Sequence, residues 1–186
     1  MMKKLISIAL IVFISSCAKQ EVMETEDTIG ARLEIELTRL GFKDGMPELP
    51  PVFGPYLPFL TVDKEIYITA SAAFTPEGTW ITGLVTNETD PKHVLYAAEL
   101  SVIQAINRVR LAAGGDLNNV AKLRHVNVMT TAPNDYPHTE MIAQATSDMI
   151  IRILGTEIGQ HSRGIIRSTS LPINMTHETE IRAALK

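Results

Sequence analysis

The apolar positions of this chain change their spacing from segment to segment, and each change marks a predicted element. From Thr28 to Leu40 the residues Ile29, Leu33, Leu37 and Leu40 recur at three- and four-residue steps. That spacing predicts a short amphipathic helix, with Gly41 as its C-terminal stop. The stretch Pro47 to Pro58 holds five prolines, which forbid a helix and a central strand and leave an extended loop with room for one edge segment. Glu65 to Phe74 (EIYITASAAF) is β-branched and aromatic at its start, and Pro76-Glu77-Gly78 separates it from a second run, TWITGLV. A hairpin is predicted there.

Asp90-Pro91 then supplies an N-cap and first-turn pair, and Leu95, Ala98, Val102, Ala105, Ile106 and Val109 form one helical face up to Gly114-Gly115. After a turn at Asp116 to Val120, KLRHVNVMTT reads as a strand through Leu123, Val126 and Val128. A second long helix is predicted from Pro137 to Leu154, through Met141, Ala145, Met149, Ile150 and Ile153, closed by Gly155. Two last strands, SRGIIRSTS and HETEIRAAL, flank Leu171-Pro172. The order helix, β-β, α, β, α, β-β predicts an α+β fold, a sheet with two long helices on one face.

Length and composition narrow the picture. The 186 residues fit one domain with a short appendage, and 45% hydrophobic with 20% charged residues is the balance of a globular body. The net charge of -4 provides no broad basic face, so nucleic acid is not an expected partner. A single cysteine excludes an internal disulfide framework. That cysteine is Cys17, and it follows Lys3-Lys4 and an apolar run from Leu5 to Ile14. The run is shorter than the roughly 20 residues a spanning helix needs, and its layout is that of a cleaved export signal. Ile14-Ser15-Ser16-Cys17 resembles a bacterial lipobox. The resemblance implies a signal peptide at 1–16, a lipidated Cys17 with a disordered polar tether over 17–27, and a domain over 28–186. With Ala18 after the cysteine, it implies an envelope protein anchored by lipid in the outer membrane and facing the periplasm.

Several constellations fail. The five histidines lack the helical i, i+4 pairing or close spacing of a zinc site, although His161 and His177 are expected on neighbouring strands. Gly114-Gly115 follows a helix rather than opening one, so it is no phosphate loop. No nucleophile elbow appears, and neither a metal nor an organic cofactor is expected.

Three groups of residues then stand out together: Gly54-Pro55-Tyr56; Ile66-Tyr67-Ile68-Thr69 with Pro76-Glu77-Gly78; and Ser162-Arg163 through Leu171-Pro172 to Glu178-Thr179-Glu180. From about Leu49 to Leu185 the chain resembles the RidA (YjgF) family of imine/enamine deaminases. The resemblance implies a chorismate mutase-like fold and a homotrimer with clefts between neighbours. It implies an enzyme like the 2-iminobutanoate/2-iminopropanoate deaminases, in which Arg163 grips the carboxylate of a small imine or enamine and Glu178, with Glu180 two residues on, directs the attacking water. Tyr56, Thr69 and Ile165 would shape the substrate pocket. A guanidinium suits the first role, because its planar fork donates two parallel bonds to a carboxylate. The chain departs from the family pattern at Thr69, where serine is usual, at Ala70-Ser71 in place of Gly-Gln, and at Ile165 in place of a common cysteine. A non-enzymatic module holding small carboxylates in the same cleft is the alternative expectation.

Overall fold

The computed structural model describes residues 27–186, so the signal segment and Cys17 lie outside the described residues. Helix α1 (Ile29–Arg39) starts where Thr28 caps it, its side-chain oxygen accepting from the Ala31 amide at 3.1 Å. Strands β1 (Phe59–Val62) and β2 (Glu65–Ile68) follow the proline-rich loop, and β3 (Ser71–Ala72) is a short continuation. Helix α2 (Pro91–Ala112), capped by Asp90, leads into β4 (Val120–Thr130). Helix α3 (Thr139–Gly159), β5 (Ser162–Arg167) and β6 (His177–Leu185) complete the chain.

The sheet runs β1-β2-β6-β4-β5, with β3 paired to β6 beyond β2. All neighbours are antiparallel except β4 and β5. That parallel pair needs a crossover, and α3 supplies it. Leu123, Val126, Val128, Ile181 and Ala183 alternate onto the face that α2 and α3 cover, and with Ile103, Ile106, Met149 and Ile153 they form the buried core. A bond of 2.7 Å between the Ser101 and Thr179 hydroxyls ties α2 to the centre of that face. Among the described residues the opposite face carries no helix. The α+β class and the two long helices on one face are therefore as the spacing predicts.

Four local expectations are corrected. The hairpin of β2 is made with β1, through Asp63 and Lys64 at φ 47° and 68°, the left-handed pair of a two-residue turn. TWITGLV forms isolated bridges instead, Phe74 with Trp80 and Thr82 with Met175, because the run leaves its turn to lie beside the start of β6. The long strand Glu65–Phe74 breaks at Thr69-Ala70: Tyr67 opposes Arg182 but Ser71 opposes Thr179, a one-residue shift of register. Such a bulge re-aims side chains and is common beside sites. Gly155 does leave the helical region, at φ 74°, but one further turn follows it before α3 ends. Finally, His161 and His177 are not neighbours, because β4 separates β5 from β6. His177 is fully buried and bonds Thr130 at 3.0 Å, while His161 bonds Ser147.

Candidate functional site

The break between β2 and β3 opens a cavity of about 300 Å³. Its wall is the proline-rich loop with Phe53 and Tyr56, its rim the bulge residues Thr69 and Ala70, and its remaining sides Trp80, Arg108 from α2, and Met175 and Glu178 around the start of β6. The loop is braced locally. The Phe53 amide donates to the Tyr56 hydroxyl at 3.2 Å, and the tyrosine ring folds back so closely over Gly54 that a Cβ there would sit 3.1 Å from it. Phe53 and Phe74 both pack on the Trp80 ring, with centroids 6.0 and 4.6 Å away. Thr69 holds the bulge in place, its amide donating to Pro58 O at 3.0 Å and its hydroxyl to Leu57 O at 2.6 Å.

Two charged groups face this cavity. Glu178 is 9% exposed, and burial pushes its carboxyl above the usual carboxylate range, against the opposing pull of Arg108. Arg108 is 4% exposed, and burial lowers its pKa, with Tyr56 and Glu178 opposing. No carboxylate among the described residues approaches Arg108 within 4.0 Å. Glu180, two residues along the strand, is placed differently. It accepts from Asn127 Nδ2 at 3.2 Å and lies 3.8 Å from Arg182, and it does not line the cavity.

Tyr56, Thr69 and Glu178 thus converge, and Arg163 and Ile165 do not join them. Arg163 pairs with Val126 on β4, whereas Glu178 pairs with Met129. The two are separated by β4, offset by three residues along it, and point to opposite faces of the sheet. That separation is roughly 14 Å between Cα atoms at the usual strand spacings. Arg163 instead reaches α3, where Nη1 donates to Ala143 O at 2.7 Å and Ser147 Oγ at 3.1 Å. Ile165 is half-buried against the core. A site that contains both Arg163 and Glu178 requires a second copy of the chain.

Sequence reading missed Arg108. Its position among Ala105, Ile106 and Val109 carried the available signal, a charge set within the apolar stretch of α2. A charge so placed is either a snorkelling surface residue or a buried one, and only the packing distinguishes them.

No family model matches the chain. Over 152 residues it is 24% identical to protein TCP17 of Trypanosoma cruzi, covering 80% of this chain and 91% of the relative. The crystal structure of Atu1372, a protein of unknown function from Agrobacterium tumefaciens, superposes with a TM-score of 0.73 at 23% identity, over 85% of this chain and 95% of that one. The YjgF gene product and TdcF of E. coli, the latter solved with bound serine, each superpose with a TM-score of 0.54 at 17% identity, over 74% of this chain and 94% of theirs. This chain therefore has the mixed-sheet, chorismate mutase-like fold of YjgF and the Rid proteins.

Proposed function

We propose that the protein is a Rid-type hydrolase that deaminates a small imine or enamine bearing a carboxylate, in a cleft formed between neighbouring subunits of a homotrimer. The observation that carries this reading is the convergence of Tyr56, Thr69 and Glu178 in one cavity, with Glu178 buried and its carboxylate accepting no hydrogen bond from the described residues. A carboxylate so placed, with its proton affinity raised, suits a general base. Glu178 accepts a proton from water as the oxygen adds to the C=N carbon. Glu178 returns that proton to the nitrogen, giving the carbinolamine, and then passes the carbinolamine hydroxyl proton to the nitrogen as the C–N bond breaks, so that ammonia leaves and a 2-oxo acid remains. An enamine first takes a proton at carbon to become the imine. Arg163 of an adjacent copy grips the carboxylate with the N–H groups it does not spend on α3.

Self-association has a surface to use. Leu60, Val62, Tyr67 and Ile166 are exposed on the helix-free face of the sheet, and apolar residues grouped on one face are typical of contact surfaces. Attachment to the outer membrane through a lipid on Cys17 belongs to the same proposal. Loss of fatty-acid labelling in Cys17→Ser tests it.

A second reading, a carboxylate-binding module without turnover, is favoured by one observation. The Thr69 hydroxyl is committed to Leu57 O, and its proton is not free for a substrate. Generating 2-iminopropanoate in situ with an amino acid oxidase, and following its decay with and without the protein, separates the two. Acceleration supports the hydrolase; unaccelerated decay with measurable pyruvate binding leaves the binding module. Light scattering on the same sample is expected to give a trimer, and a stable monomer would remove the shared cleft.

A further inference from the structure

Arg108 is the unexplained group of this cavity. It is 4% exposed, lines the cavity beside Tyr56 and Glu178, and belongs to the helix rather than to any segment assigned a role above. A guanidinium offers five N–H donors. Among the described residues the protein engages it once, through Nη1 to Gln104 O at a long 3.5 Å, and Nε has no partner. One turn earlier on α2, the Gln104 side chain is fully buried and neither amide atom has a partner. Of the five buried side-chain polar atoms left unmatched in the described residues, three therefore lie on this one turn. Buried polar groups are paired in the great majority of cases, so unmatched atoms on the turn that ends at a cavity-lining arginine call for an explanation.

Charge strengthens the point. A buried cation normally has an anion in contact, because leaving it unpaired away from water is strongly unfavourable. Glu178 shares the cavity but stays beyond 4.0 Å, so the two charges face each other across open space rather than as an ion pair. A structural arginine would be expected to close that gap. Arg108 instead lines the cavity with most of its donors unspent on the protein, and a guanidinium can meet the two oxygens of an acidic group with two parallel bonds.

We infer that Arg108 is a specificity-determining residue that binds a second acidic group on the ligand, so that the preferred substrates are imines of small acidic amino acids and the products 2-oxo diacids. The inference rests on the reading of Arg163 of an adjacent copy as the anchor for the first carboxylate, since two separate cationic anchors match two acidic groups. A cavity of about 300 Å³ lies at the small end of ligand sites, roughly 300–1,000 Å³, and fits a ligand of four or five carbons. Phe53, Trp80 and Met175 contact its carbon chain.

The test is a ratio. Oxaloacetate and 2-oxoglutarate, as product-like diacids, and pyruvate and 2-oxobutanoate, as matched monoacids, are titrated into the full mature chain by calorimetry. The same is done with Arg108→Met, which keeps the length without charge, and Arg108→Lys, which keeps charge without the fork. The expected result is at least tenfold tighter binding of a diacid than of its matched monoacid. That preference collapses to near unity in Arg108→Met and is partly restored in Arg108→Lys. Equal binding of the two classes by the unmodified chain overturns the inference, as does a preference that survives Arg108→Met. If Arg108→Met fails to fold, the ratio in the unmodified chain and in Arg108→Lys still decides it, with an unaltered preference in Arg108→Lys at altered total affinity counting against the guanidinium fork. Failure of the deaminase reading looks different: imines of neither class decay faster with protein, whatever the diacid preference.

Discussion

Two glutamates in this protein are buried to a similar degree, Glu36 at 5% exposure and Glu178 at 9%, and they live in opposite electrostatic worlds. Glu36 sits on α1, where Arg152 Nε donates at 2.6 Å and Arg39 Nε at 2.8 Å, and Glu99 completes a four-residue network linking α1, α2 and α3. Burial pushes its carboxyl up, but the bonds from Arg152 and Arg39 outweigh this and hold it below the usual value. Glu178 has only Arg108, beyond contact distance, and burial prevails. The contrast separates a carboxylate that serves the fold from one whose partners are left for a ligand. Surface exposure alone cannot make that distinction, because it is nearly the same for both; the hydrogen-bond partners of the carboxylate make it.

The largest expected effect comes from Glu178→Gln. If the site performs general base catalysis, imine turnover falls about 10²–10⁴-fold. The melting temperature should stay or rise, since the variant removes a buried charge with no contact partner. A fall in melting temperature matching that of Glu36→Gln would erase the distinction between the two carboxylates.

Acid titration provides the next test, with His177 as a buried group that has neither a charged partner nor a ligand-facing role. Burial, with a smaller contribution from the charge of His93, lowers its pKa from 6.5 to about 3. The sign follows: a depressed folded pKa contributes stability above the unfolded value that is lost as pH falls from 6.5 towards 3. The slope is at most about 1.4 kcal/mol per pH unit. His177→Gln should flatten urea-derived stability against pH over that window, and an unchanged slope would show that another group takes up the proton.

Glu36→Gln should cost less, about 1–3 kcal/mol at neutral pH. That lies between the values for exposed and buried pairs, because its arginine partners are each more than two-fifths exposed. The lowered pKa of Glu36 makes this stabilisation present above pH 4.5 and lost as pH falls through its folded value. Glu178 runs the other way: its raised pKa gives a contribution that is full below pH 4.5 and lost as pH rises through the folded value. Stability curves of the two variants should therefore diverge from the unmodified chain in opposite directions towards neutral pH. Parallel curves would mean that both carboxylates are structural.

Periodicity was enough for the long elements. α2, β4 and β6 bury regular faces, and a face repeating over many residues is written in the chain itself. The elements that were misread are short and depend on distant partners. β1 carries only a four-residue run, and its turn uses Asp63-Lys64 without the glycine that usually signals such a turn. The bulge at Thr69-Ala70 exists because Thr69 bonds Leu57 and Pro58 of the loop while Ser71 resumes pairing with β6. No local pattern encodes that competition.

The candidate site divides along the same line. The residue types and spacings of Tyr56, Thr69, Arg163 and Glu178 are properties of the chain as a string, and so is the resemblance they carry. Whether those residues meet is a property of strand order and register. β4 inserts between β5 and β6, and the alternation of strand faces then puts Arg163 and Glu178 on opposite sides of one sheet. Arg108 shows the reverse case. A charge in an apolar stretch looks ordinary in sequence, and it becomes a candidate binding group only because folding seals it from bulk solvent, opens a cavity beside it and brings no anion of the described residues into contact.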